Sequence, residues 1–108
     1  MVNVVQSAKD PTRVHVQVKL TDFGFTALCN NLTLSLGSPL YMAPELALKK
    51  KYGQGVDVWA LGVLCYMLLT GSRPFPGIEK KDIFRGTLNK EPNYQLLSKF
   101  TNNGADVI

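Results

Sequence analysis

Histidine is nearly absent from this 108-residue chain, where His15 is the only one. A single imidazole leaves nothing from which to build a multi-histidine metal cage, and little for a Ser–His–Asp triad. Cysteine is scarce too. Cys29 and Cys65 have neither metal-ligand spacing nor the density of a disulfide-stapled secreted scaffold, which favours a reducing compartment, the cytoplasm first and the nucleus second. Long hydrophobic runs are missing as well. The longest, Val56 to Leu69, is too short to span a bilayer and is broken by Asp57 and Gly62. The first residues lack the basic-then-apolar order of a secretory signal, so a soluble chain with no membrane partner is expected. The charge imbalance is modest, at +4 with a pI near 9.2. Lys49 to Lys51 and the pair Lys80–Lys81 have no interleaved aromatics; they read as solvated surface, and no nucleic-acid partner is expected.

What the chain does have is enough apolar residue, 45%, to pack a core at the length of one small domain. Val14, Val16, Val18 and Leu20 alternate with His15, Gln17 and Lys19, the period of a half-buried strand. With Val4-Val5 ahead of a Lys-Asp-Pro-Thr turn, this predicts a β-hairpin over residues 3–20. Phe25 to Leu36 has no period and reads as a loop that includes Cys29. Pro44 suits the first turn of a short helix over 44–50. Val56, Trp59, Ala60, Val63, Leu64, Met67 and Leu68 then recur at helical spacing, while Leu61, Cys65 and Leu69 fill the sides. A helix apolar nearly all round is expected to be a buried pillar, with Cys65 a small core residue. Gly71 supplies its stop, and Pro74 and Pro76 forbid its continuation. A second amphipathic helix is expected over 79–86, and the start of another at Gly104 to Ile108. The class is α+β, mainly helical.

Three short strings carry chemistry: Asp22-Phe23-Gly24, then Ala43-Pro44-Glu45 led by Gly37-Ser38-Pro39-Leu40-Tyr41-Met42, then Asp57-Val58-Trp59-Ala60-Leu61-Gly62. Each alone is weak. In this order they resemble the activation segment and central helix of a eukaryotic Ser/Thr protein kinase. The resemblance implies a C-lobe fragment of a kinase domain. Residues 1–20 would be the end of the catalytic loop and its hairpin, 22–45 the activation segment, 56–70 the central helix and 79–108 later helices.

The resemblance also implies roles. Asp22, Phe23 and Gly24 would form the nucleotide-side site, with Asp22 the ligand of the Mg²⁺ that bridges the phosphates. Gly24 would let the backbone reorient, and Phe23 would pack inward and set the active or inactive state. Asn3 stands where the catalytic-loop asparagine, a second metal ligand, would stand. Val2 occupies a position where many such kinases carry a glutamate that contacts basic substrates. Gly37, Ser38, Pro39 and Tyr41 would form the substrate loop, with the Ser38 hydroxyl helping to hold the acceptor hydroxyl in line. Glu45, Asp57 and Trp59 would be structural: Glu45 paired with a late arginine, Asp57 accepting backbone hydrogen bonds from the catalytic loop. Thr33 and Ser35 are candidate phosphosites, although Leu34 holds the usual position three before Gly37. Leu69-Thr70-Gly71-x-x-Pro74-Phe75 resembles the calcium/calmodulin-dependent group, yet no EF-hand loop or calmodulin-binding basic helix occurs.

The Gly-rich loop, the ATP-anchoring lysine and the HRD aspartate are absent from these residues. ATP and Mg²⁺ are therefore expected only in a complete domain, with neither bound by these residues alone. The expected partners are a protein substrate, the kinase N-lobe and the rest of the C-lobe. Two functions follow: part of an enzyme moving the ATP γ-phosphoryl group to protein Ser/Thr hydroxyls, or a non-catalytic truncated kinase acting as an interaction module.

Overall fold

Val2–Gln6 (β1) and Val14–Val18 (β2) pair antiparallel, with Asn3 opposite Gln17 and Val4 opposite Val16. The computed structural model describes residues 2–6, 14–28, 32–33 and 35–100. The hairpin over 3–20 is therefore present in its two strands, while its turn, Cys29, Leu34 and the helix start at Gly104 to Ile108 lie outside the described residues. The alternation along β2 does not bury its apolar face: Val16, Val18 and Leu20 are all exposed. A two-stranded ribbon has no core of its own, and among the described residues no second layer covers this one.

The chain next runs through a turn at Phe23–Thr26, closed by the Thr26 N–H on the Phe23 carbonyl at 3.0 Å. A 3-10 turn at Pro39–Tyr41 and a short helix, α1 (Pro44–Ala47), follow, each begun by a proline whose missing N–H costs nothing there. α1 is shorter than the 44–50 expected. It stops in a Schellman motif, with Lys49 N–H on the Leu46 carbonyl (3.1 Å) and Lys50 N–H on the Glu45 carbonyl (2.9 Å). Lys49 takes the left-handed position, φ 54, that usually falls to glycine.

The long helix α2 spans Gly55–Thr70 and ends at Gly71, whose φ of 68 is the left-handed stop the sequence calls for. The Thr70 hydroxyl reinforces that end, donating to the Tyr66 carbonyl at 2.8 Å and accepting from the Ser72 N–H at 3.1 Å. α3 covers Lys80–Asn89, ending three residues beyond the 79–86 that the spacing predicted, and a 3-10 stretch covers Tyr94–Phe100.

The core gathers Met42, Ala43 and Leu46 from the segment around α1, Val63 and Tyr66 from α2, Phe75, Ile83 of α3, and Leu97. Trp59 stacks on Phe75, ring centroids 5.9 Å apart and 7° from parallel. Tyr66 is buried, and its hydroxyl donates to the Asn93 carbonyl at 3.1 Å, pinning the segment after α3 to α2. α2 is thus a pillar on one side only. Leu61, Leu64 and Leu68 are exposed, Leu68 by 76%, although Leu64 and Leu68 belonged to the expected buried stripe. A helix apolar on every side carries no internal signal of which side is covered. Here Phe75 and the Tyr94–Phe100 stretch decide it, and they select the Trp59–Val63–Tyr66 row. Cys65, on the flank, is half-buried with a free thiol.

Candidate functional site

The turn at the end of the β2 extension sets Asp22 in an unusual backbone state. Its φ is 65, a left-handed conformation uncommon outside glycine but tolerated by Asp. The Gly24 N–H reaches back to Asp22 Oδ1 at 3.5 Å, the outer limit of a hydrogen bond, so the carboxylate is barely engaged and remains exposed. That is the condition in which a carboxylate can take a cation. Phe23 does not pack inward as expected; it is 67% exposed, because no described element lies over it.

The substrate loop is built from the other direction. Gly37 has φ 106, a region that disfavours any side chain, and it turns the chain into the Pro39–Tyr41 turn. The Tyr41 N–H bonds the Ser38 carbonyl at 3.1 Å and the Met42 N–H bonds that of Pro39 at 3.3 Å. Met42 and Ala43, both buried, anchor this loop in the core and leave Ser38 exposed on its rim.

A cavity of about 380 Å³ joins these pieces. Asp22, Gly37, Ser38, Tyr41 and Asp57 line it, together with Tyr52, Gln54 and the apolar Phe25, Leu36 and Val56. Residues from the DFG turn, the substrate loop and the start of α2, far apart in sequence, therefore share one concavity. Tyr52 and Gln54, which the motifs did not single out, complete its wall. Their signal lies in position alone, in the link between α1 and α2.

The remaining expected residues are placed as follows. Asn3 lies on β1, and its side chain lies outside the described part. Asp57 is exposed in the first turn of α2, where a carboxylate complements the helix dipole, and among the described residues its side chain has no hydrogen-bond partner. Glu45 is half-buried and likewise has no ion-pair partner among the described residues. Trp59 lines a second, mostly apolar cavity, and its buried indole N–H has no hydrogen-bond partner among the described residues. Ser35 is half-buried against α1, its hydroxyl on the Leu46 carbonyl at 3.4 Å, whereas Thr33 is exposed. Among the described residues no group of three or more His, Cys, Asp or Glu side chains could hold a metal.

The family model of the protein kinase domain matches residues 3–107. The chain belongs to the protein kinase domain family. Within the family it is 40% identical over 86 residues to Protein kinase C-like 2 of Schizosaccharomyces pombe, covering 73% of this chain and 8% of that protein. It is 40% identical over 96 residues to CDPK-related kinase 1 of Arabidopsis thaliana, covering 86% of this chain and 16% of that protein. To human Protein kinase C eta type it is 42% identical over 80 residues, covering 70% of this chain and 12% of that protein. This kinase-domain chain thus spans less than a fifth of the length of the curated relatives it matches. The mainly helical architecture fits a piece of the kinase C-lobe.

Proposed function

We propose that these residues are the activation segment, substrate loop and central helix of a Ser/Thr protein kinase that moves the γ-phosphoryl group of ATP to protein hydroxyls. The observation that carries this is the shared cavity of about 380 Å³, which holds Asp22 and Ser38 on one concave surface. Phosphoryl transfer needs little covalent help from the protein and much positioning and charge neutralisation. Asp22 fits a magnesium ligand. Magnesium is commonly held by one or two carboxylates plus phosphate oxygens and water, so a lone, weakly engaged carboxylate suits it better than a protein cage. When bound, the metal neutralises charge building on the phosphates. Asp22, presented by the turn through Gly24, would hold it, Ser38 would orient the acceptor hydroxyl, and Pro39 and Tyr41 would shape the groove for the acceptor chain. The general base and the nucleotide lysine are not among these residues, so the 108 residues alone are expected to be inactive.

Within the family, we assign the chain to the calcium/calmodulin-type group. Leu69-Thr70-Gly71-x-x-Pro74-Phe75 and the broad match to CDPK-related kinase 1 support this reading. A second reading, a non-catalytic kinase module that docks partners, draws on the exposed rows Val16–Val18–Leu20 and Leu61–Leu64–Leu68. The test is a chimera in which these residues replace the matching segment of Protein kinase C eta type. Assayed on mixed acceptor peptides with Mg-ATP, it is expected to place phosphate on Ser and Thr. Phosphate on Tyr would overturn the acceptor assignment, and a folded but silent chimera would favour the docking reading.

A further inference from the structure

The chain enters α2 through Tyr52-Gly53-Gln54-Gly55, where side chains alternate with glycine. Tyr52 and Gln54 both line the cavity that holds Asp22 and Ser38. The backbone that carries them is fixed from two directions. Leu32 and Tyr52 exchange both backbone hydrogen bonds, at 3.1 and 3.0 Å, and the Asp57 N–H bonds the Gln54 carbonyl at 3.0 Å in the first turn of α2.

Gln54 stands at the N-cap of α2, a position that favours Ser, Thr, Asp or Asn because their short side-chain oxygens reach the open N–H groups of the first turn. Gln54 does not serve that end. Its side chain makes no cap hydrogen bond, and among the described residues its carboxamide has no partner. The residue is exposed, and the space beside it is open, since a Cβ built on Gly55 meets nothing within 4 Å. The wall therefore presents an unused amide, donor and acceptor together, on a backbone that is held.

The charged residues of the cavity lining, Asp22 and Asp57, are both acidic. An acidic side chain entering there meets like charge. A basic one is drawn to the carboxylates and gains no counter-charge from an amide. An uncharged side chain that donates and accepts, a hydroxyl or a carboxamide, is the group whose hydrogen bonds Gln54 matches in kind. An apolar side chain in the same place strips water from the amide and returns nothing.

We propose that Gln54 is a specificity-determining residue, whose carboxamide selects acceptor chains carrying Ser, Thr, Asn or Gln at one position flanking the acceptor hydroxyl. This rests on the reading of the cavity as the acceptor site.

The experiment reads binding rather than phosphotransfer. Peptides with a central Ser and randomised flanking positions are retained on the immobilised full chain, and in parallel on the chimeric kinase domain, then sequenced. The expected result is one flanking position enriched in Ser, Thr, Asn and Gln over Ala by roughly fivefold, the scale of a single hydrogen bond. At that position Gln54→Lys moves the preference to Asp and Glu, and Gln54→Glu moves it to Lys and Arg. Lys51→Ala, which removes an exposed cation close by in sequence but outside the cavity lining, keeps the parent profile. Profiles that coincide in the parent, Gln54→Lys and Gln54→Glu, or retention of no peptide by either protein, would overturn the proposal. A silent chimera whose profile still shifts removes the enzyme reading and keeps this one, and an active chimera with an unmoved profile does the reverse.

Discussion

At the scale of single residues, two backbone states carry information that side-chain type alone does not. Asp22 and Lys49 both occupy the left-handed region, at φ 65 and 54. For an L-residue that conformation costs on the order of 1 kcal/mol. At Lys49 the state serves the turn that ends α1, where glycine would serve without the cost. Lys49→Gly is therefore expected to raise the stability to chemical denaturation by about 1 kcal/mol, read from the urea midpoint at unchanged slope. Lys49→Val is expected to lower it. At Asp22 the same state keeps the carboxylate at the cavity rim rather than tied into the turn, and glycine there would keep the turn but lose the ligand.

The elements show what the sequence discloses and what it withholds. α2 was legible nearly to the residue, because Gly71 and the two prolines after it fix its end and the apolar run fixes its body. Its buried face was not. Leu64 and Leu68 look as apolar as Val63, and only Phe75 and the segment from Tyr94 decide that the Trp59–Val63–Tyr66 row is the one covered. The site was legible in the same uneven way. DFG, the substrate loop and Asp57 announce themselves as strings, whereas Tyr52 and Gln54 enter the cavity wall through a turn whose hinge is a lysine rather than a glycine. Two variants measure the packing. Trp59→Ala is expected to cost roughly 3 kcal/mol, since it removes a half-buried ring stacked on Phe75. Tyr66→Phe is expected to cost about 1 kcal/mol, the net worth of the hydrogen bond to Asn93. A Trp59→Ala melt indistinguishable from the parent would count against the pillar description.

Across the whole molecule, the described residues bury one modest core and leave two apolar rows open, one on β2 leading to the DFG turn and one on α2. Contiguous exposed apolar surface of this kind marks a place where something else binds. The chain on its own is expected to brighten a dye such as anilinonaphthalene sulfonate, and the same residues set within the chimeric kinase domain are expected not to. The central claim is that Asp22 and Ser38 belong to one phosphotransfer site, the cavity both of them line. The most direct measurement is the rate of γ-phosphoryl transfer by the chimera at saturating Mg-ATP, beside that of its Asp22→Ala variant. A fall of at least roughly 100-fold with the melting temperature unchanged is the predicted result, the scale on which losing a charge-stabilising group in a preorganised site is felt. An active chimera whose rate is indifferent to Asp22 would contradict it.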